Sequence, residues 1–277
     1  MPLNKKVVRV LLLSFLVLGF ASCSKYQRLL KSDDFELKYE KALEYYYDED
    51  YGRAIGLLTD VIPAFRGTVK AESINYYYAM AHFKQRDYAL ASHYFRSYAN
   101  AFPRSEHAQE FLYLSAYCKY LESPRYSLDQ TNTLQAIREL QNFINRYPES
   151  ERLEDANDLI DELRSKLERK RYNAAWLFMN INDFLAAATT FENLIRDYPD
   201  TQYREEAMFM IVKAHYEFSI NSIIERQEER FQRVITAFNN LERRYPESEY
   251  LQEAGAMRDH AVSTIAALRQ TNTITEN

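Results

Sequence analysis

The 277-residue chain has few of the residues that make tight turns and cross-links: 5 glycines, 7 prolines, 2 cysteines and 1 tryptophan. Each scarcity excludes a class of protein. All-β sandwiches and barrels need many glycine-rich turns. Dinucleotide and P-loop folds need clustered glycines beside a phosphate. Disulfide scaffolds need far more than two cysteines. Catalytic signatures are also missing, with no HExxH, GxSxG, CxxC or Walker loop. What is present is 47% hydrophobic and 14% aromatic, with 23 tyrosines, yet the mean hydropathy is −0.50 because 27% is charged. So many aromatics argue against disorder. Low Gly and Pro with abundant Ala, Leu, Glu, Arg and Tyr predict an all-helical protein. The length suffices for a large core, in one long domain or two ordinary ones.

Residues 1–22 read as a secretory signal. Lys5, Lys6 and Arg9 precede an apolar run, Val10–Phe20. As a helix that run reaches roughly 16 Å, about half of a bilayer core, so it does not span one. It ends Phe20-Ala21-Ser22-Cys23, small residues before a cysteine, which resembles the lipobox of bacterial lipoproteins. That resemblance implies a lipid on Cys23 and cleavage before it; the competing reading is an ordinary signal peptide with a chance cysteine. Two or three acyl chains anchor a protein stably where one does not. Cleavage would remove three basic residues and no acids, leaving a net charge of −8. Such a chain has no global basic field for nucleic acid. Residues 23–34 are expected to be a lipidated tether. Acidic residues directly after such a cysteine resemble a surface-export signal of some Gram-negative groups; none follows Cys23, which implies a periplasm-facing lipoprotein of the outer membrane. Cys118, left without a partner, is expected in a buried helix.

The rest of the chain repeats. Phe102-Pro103-Arg104-Ser105, Tyr147-Pro148-Glu149-Ser150, Tyr198-Pro199-Asp200-Thr201 and Tyr245-Pro246-Glu247-Ser248 share one pattern, and Phe65-Arg66-Gly67-Thr68 is a degenerate fifth. Proline ends a helix and biases its predecessor away from α; Ser or Thr two positions later is expected to cap the next helix. Eleven residues before each aromatic stand Ala54, Ala91, Ala136, Ala187 and Val234, and four residues further on Leu58, Phe95, Leu140, Phe191 and Phe238. Ala42, Ala79 and Ala175 lie twelve residues before their partners, while Ala116 and Ala214 lie eight residues earlier than that, marking insertions in repeats three and five. The first insertion, 123–133, reads as a polar loop; the second, 220–230, reads as a helix extension. Small residues at two fixed points, an aromatic in the second helix and a terminal proline are the tetratricopeptide (TPR) pattern. The expected fold is all-α: a TPR-like α-solenoid of about five helix-turn-helix repeats over residues 35–270, with 250–269 a capping helix and 271–277 a disordered tail.

No constellation of chemistry-bearing residues stands out, and an enzyme is the least expected class. His107 and Glu110 have a spacing open to metal binding, but a solvated helix start explains them more simply. Gly52 and Gly56 match a membrane dimer motif within an amphipathic soluble helix, where close helix packing is the better reading. The triplets Tyr45-Tyr46-Tyr47 and Tyr76-Tyr77-Tyr78 cannot all face one side of a helix. Some must face a groove or solvent, where tyrosine offers apolar area and a hydrogen bond at low entropy cost. The competing reading is packing at repeat interfaces.

The lipobox, the repeats and four phrases carry a closer resemblance. The phrases are Tyr147-Pro148-x-Ser150, Leu163-Arg164-x-Lys166-Leu167, Tyr172-x-x-Ala175 and Asp197-Tyr198-Pro199-Asp200-Thr201-Gln202. The chain resembles the BamD family, TPR lipoproteins of the outer-membrane β-barrel assembly machinery. The resemblance implies a non-catalytic adaptor with no cofactor beyond the lipid on Cys23. It implies docking on a BamA-like β-barrel insertase, alongside other assembly lipoproteins, and reception of unfolded outer-membrane proteins. It implies a substrate-peptide groove in the N-terminal repeats, with Tyr46, Tyr47, Tyr77 and Tyr78 as candidates. It implies a partner interface around the fourth repeat, with Arg196, Asp197, Gln202, Arg204 and Glu205 as candidates. The alternative is a periplasmic TPR scaffold for envelope or peptidoglycan machinery.

Overall fold

The computed structural model describes residues 25–275. Cys23 and the signal segment lie outside the described residues. A helical stretch at 25–30 is followed by α1 (Phe35–Tyr47), α2 (Tyr51–Ala64), α3 (Ala71–Lys84), α4 (Tyr88–Ala101), α5 (Ala108–Leu121), α6 (Thr131–Arg146), α7 (Leu153–Asn180), α8 (Phe184–Asp197), α9 (Arg204–Ile220), α10 (Ile224–Arg244) and α11 (Leu251–Thr275). The fold is an all-α, TPR-like solenoid.

Two kinds of turn alternate, and each has a local cause. After α1, α3 and α7 the chain passes through Glu49, Arg86 and Asn182 with φ near +60°. The next residue, Asp50, Asp87 or Asp183, donates its backbone N–H five residues back, to Tyr45, His82 or Phe178. This is the Schellman closure of a helix end. The same aspartate then caps the following helix: its carboxylate accepts from the N–H of Arg53, Leu90 or Ala186. Asp34 caps α1 in the same manner.

The second turn follows the aromatic-proline phrase. Phe65, Phe102, Tyr147, Tyr198 and Tyr245 are the last caps of their helices. The four that precede proline have φ between −123° and −134°, pushed out of the helical region as expected. Ser105, Ser150, Thr201 and Ser248 accept through their hydroxyls from the N–H two residues on. They form short side-chain turns and do not cap the helices directly. Each helix begins three residues later, because one more turn is needed to reverse the chain after proline. Gly67, with φ of 80°, serves the turn that lacks proline.

Two compact units result. The first comprises the described residues up to Pro124 together with Gln130–Ile160, and the second Arg125–Asp129 and residues from Asp161 onward. In each unit the marker residues are buried: Ala42, Ala54, Ala79, Ala91, Ala116 and Ala136 in the first, Ala175, Ala187, Ala214 and Val234 in the second. A methyl at each crossing lets paired helices approach, and Leu58, Phe95, Leu140, Phe191 and Phe238 fill the space beside it. Burying each such side chain is worth about 2 kcal/mol.

The insertion of repeat three is a loop pinned by a hydrogen bond between the Ser123 and Thr133 hydroxyls, 2.7 Å. That of repeat five is mostly helix: α9 ends at Ile220 and α10 starts at Ile224. Two expectations need correction. Residues 25–30, expected as tether, pack on the first repeat through Tyr26, Leu29 and Leu30. The buried Lys38 ammonium holds them, donating to the Leu30 carbonyl (2.8 Å) and to Asp60 (2.9 Å). The last helix also continues through residues 271–275, expected to be disordered.

Candidate functional site

The tyrosine triplets separate by helical phase. Successive residues on a helix point about 100° apart, so neighbours in sequence face different surroundings. Tyr45 turns to Tyr26, edge to face at 5.7 Å. Tyr76 stacks on Phe111 at 5.2 Å, against α5. Tyr78 enters the core at 7% exposure and packs on Tyr94 (4.6 Å) and His82 (4.8 Å). It is therefore not an open groove residue, contrary to expectation.

Tyr46, Tyr47 and Tyr77 come together. Tyr46 lies 5.0 Å from Tyr77 and 5.6 Å from Tyr47, and Tyr47 lies 6.0 Å from Tyr77, all near edge to face. The Tyr47 and Tyr77 hydroxyls share a 2.7 Å hydrogen bond. Tyr51, the first residue of α2, joins through Tyr46 at 5.6 Å. Reading the triplets alone missed it, although its place directly after the Asp50 cap marks it as fixed. Tyr47 is 66% exposed while the others are half-buried. Burial pushes the Tyr46 phenol up to about 12, and the hydrogen bond shared with Tyr47 is the chief cause raising Tyr77. Both stay neutral at physiological pH. The cluster thus presents ring edges, one open ring and neutral hydroxyls. Such a surface suits apolar side chains and backbone amides of a peptide.

The second candidate set lies in the second unit and is less unified. Arg196 is exposed and bonds Asp197 at 3.1 Å; Asp197 also sits 3.8 Å from Arg171. Arg204 donates to the Pro199 carbonyl. Gln202 is exposed in the turn, and Glu205 is half-buried in the first turn of α9. Only Arg196 and Arg204 of the five line a groove of about 1360 Å³ between α8 and α10. Arg243 and Arg244 line it too, and no sequence spacing had joined them to Arg196.

Among the described residues no group of three or more His, Cys, Asp or Glu is placed to hold a metal, and no helix is long and apolar enough to cross a membrane. His107 and Glu110 are drawn apart: the imidazole packs on Tyr76, and the carboxylate pairs with Arg152 at 2.8 Å. Cys118 is buried, and burial pushes its thiol up to about 12, so it stays protonated.

Helix hairpins stacked on small buried residues define a TPR-like helical-repeat protein. The family model described as outer membrane lipoprotein, YfiO, matches residues 32–231. Over 146 residues the chain is 28% identical to the outer membrane protein assembly factor BamD of Caulobacter vibrioides, covering 53% of this chain and 48% of that relative. Over 188 residues it is 24% identical to BamD of Pasteurella multocida, covering 63% and 71%. Over 228 residues it is 21% identical to BamD of Haemophilus influenzae, covering 79% and 86%. The match thus spans about half the length of the Caulobacter relative and more of the other two. The chain belongs to the YfiO (BamD) family of outer membrane lipoproteins.

Proposed function

We propose that the chain is a non-catalytic adaptor in the assembly of outer-membrane β-barrel proteins. The family match over residues 32–231, with relatives named outer membrane protein assembly factor, carries this reading. In it, a lipid on Cys23 holds the chain at the periplasmic face of the outer membrane. The Tyr46–Tyr47–Tyr77 cluster receives unfolded barrel segments, an activity supported by its exposed Tyr47 ring and its clustered ring edges. The second unit docks on the barrel insertase through residues near Arg196 and Arg204, with other assembly lipoproteins beside it.

Mild-detergent purification of the tagged chain tests the reading. Recovery of the barrel insertase is expected. Recovery of cell-wall synthases in its place would favour an envelope scaffold. Cys23→Ala should move the chain from the membrane to the soluble periplasmic fraction; unchanged fractionation would remove the lipid anchor from the proposal.

A further inference from the structure

The groove of the second unit has a floor from α9 and walls from α8 and α10. Its volume, about 1360 Å³, exceeds the usual small-molecule range of about 300–1,000 Å³. Along α8, from Leu185 to Arg196, it runs roughly 16 Å, or about three helical turns. Ile195, Met208, Ile211 and Ala237 supply apolar surface along it.

Its two ends differ in charge balance. At one end stand Glu225, Glu228 and Glu229, and the protein already neutralises the last two. Glu228 pairs with Arg269 at 2.8 Å, and Glu229 with Arg233 at 2.8 Å. Between the ends Glu192 meets His215 at 3.6 Å. At the other end stand Arg196, Arg204, Arg243 and Arg244. Asp197 answers Arg196, but Arg204, Arg243 and Arg244 have no carboxylate at ion-pair distance among the described residues. Arg204 donates to the Pro199 carbonyl and Arg243 to the Asn240 amide oxygen, both neutral acceptors. The Arg204 Nε is buried with no acceptor among the described residues.

Helix electrostatics accounts for part of this. Arg243 and Arg244 occupy the last turn of α10, where cations offset the dipole. Arg204 occupies the first turn of α9, where a cation meets the positive end and is disfavoured. An unneutralised cluster beside an apolar floor is complementary to a chain segment of opposite design.

We propose that this groove docks a short apolar segment of a partner protein, about three helical turns long, whose acidic end lies against Arg204, Arg243 and Arg244. The proposal rests on reading the second unit as the partner-binding part, and it names the chemistry of that partner. A phosphate headgroup would satisfy the arginines but leave the apolar floor open, so a protein segment fits the whole groove better.

The test is a fluorescence-anisotropy titration of the full chain with synthetic twelve-residue peptides. One probe carries leucines along one face and two glutamates at one end; its control carries lysines in their place. The glutamate probe should bind more tightly by on the order of tenfold. Arg243→Glu with Arg244→Glu, both exposed positions, should reverse that preference while circular dichroism stays unchanged. Thr236→Trp, which fills the groove midway, should abolish binding of the glutamate probe. Equal binding of the two probes, or an unchanged preference in the charge-reversed variant, would overturn the proposal. So would arginine-dependent binding to phosphatidylglycerol vesicles without peptide binding, or loss of a self-association in the same variant. Because the probes are synthetic, these outcomes are independent of whether the insertase co-purifies.

Discussion

The Tyr47 hydroxyl meets the Tyr77 hydroxyl at 2.7 Å, joining the last turn of α1 to the middle of α3. Thirty residues apart in the chain, the two rings and Tyr46 form one surface. Tyr78, adjacent to Tyr77, belongs instead to the core. This division separates binding from stability. Tyr47→Ala removes an exposed contact and should cost under about 1 kcal/mol, yet weaken photo-crosslinking to an unfolded barrel peptide. Tyr78→Ala should cost about 3 kcal/mol by opening a cavity. Urea denaturation beside crosslinking distinguishes them. A Tyr47→Ala chain that crosslinks normally would return that tyrosine to packing alone.

The recurring aspartates make a second expectation quantitative. Asp50, Asp87 and Asp183 each satisfy an otherwise unpaired N–H at a helix start. Replacing any one with alanine should cost about 1 kcal/mol. Arg86, with φ of 63°, occupies the left-handed region without being glycine. Arg86→Gly should raise stability by about 0.5 kcal/mol or more. Urea midpoints measure both; a drop for Arg86→Gly would show that its side chain contributes more than its backbone costs.

Gly56 has a different reason to lack a side chain. A Cβ there would collide with the Tyr26 hydroxyl oxygen, which donates to the Arg53 carbonyl at 3.3 Å. Alanine in mid-helix normally gains close to 1 kcal/mol over glycine. Gly56→Ala should therefore not stabilise the native chain, but should stabilise one that already carries Tyr26→Phe. A thermal-melt double-mutant cycle reads the difference, and equal effects in both backgrounds would refute the contact.

Acid sensitivity should trace in part to His82. The imidazole is buried among Tyr78 and Tyr94. Burial lowers its pKa, and the Asp87 carboxylate 3.5 Å away offsets only part of that. The unfolded chain thus binds a proton at His82 that the folded chain resists. This contribution is fully present above the unfolded value of 6.5 and is lost as pH falls through the folded pKa. Urea midpoints at pH 7.5 and pH 5 should differ in the native chain, and the difference should shrink in His82→Phe. No change in that difference would assign the acid sensitivity to other groups.

The chain's own residues determined the repeat because its signals are local. A proline and its aromatic neighbour end a helix, and Asp50, Asp87 and Asp183 cap the helices that follow them. Alanine at Ala54, Ala91, Ala136 and Ala187 marks the crossings, and all four are fully buried. Cys23, the other strong local signal, lies outside the described residues. Tertiary structure alone decided what those helices present. It sent Tyr77 outward and Tyr78 inward, because a 100° step per residue turns neighbours to different surroundings. It made Ser105, Ser150, Thr201 and Ser248 turn residues, since reversing the chain needs more residues than the phrase itself holds. It also brought Arg196 and Arg204 beside Arg243 and Arg244, roughly a whole repeat later in the chain. No periodicity records that meeting, because packing of α9 between α8 and α10 creates it.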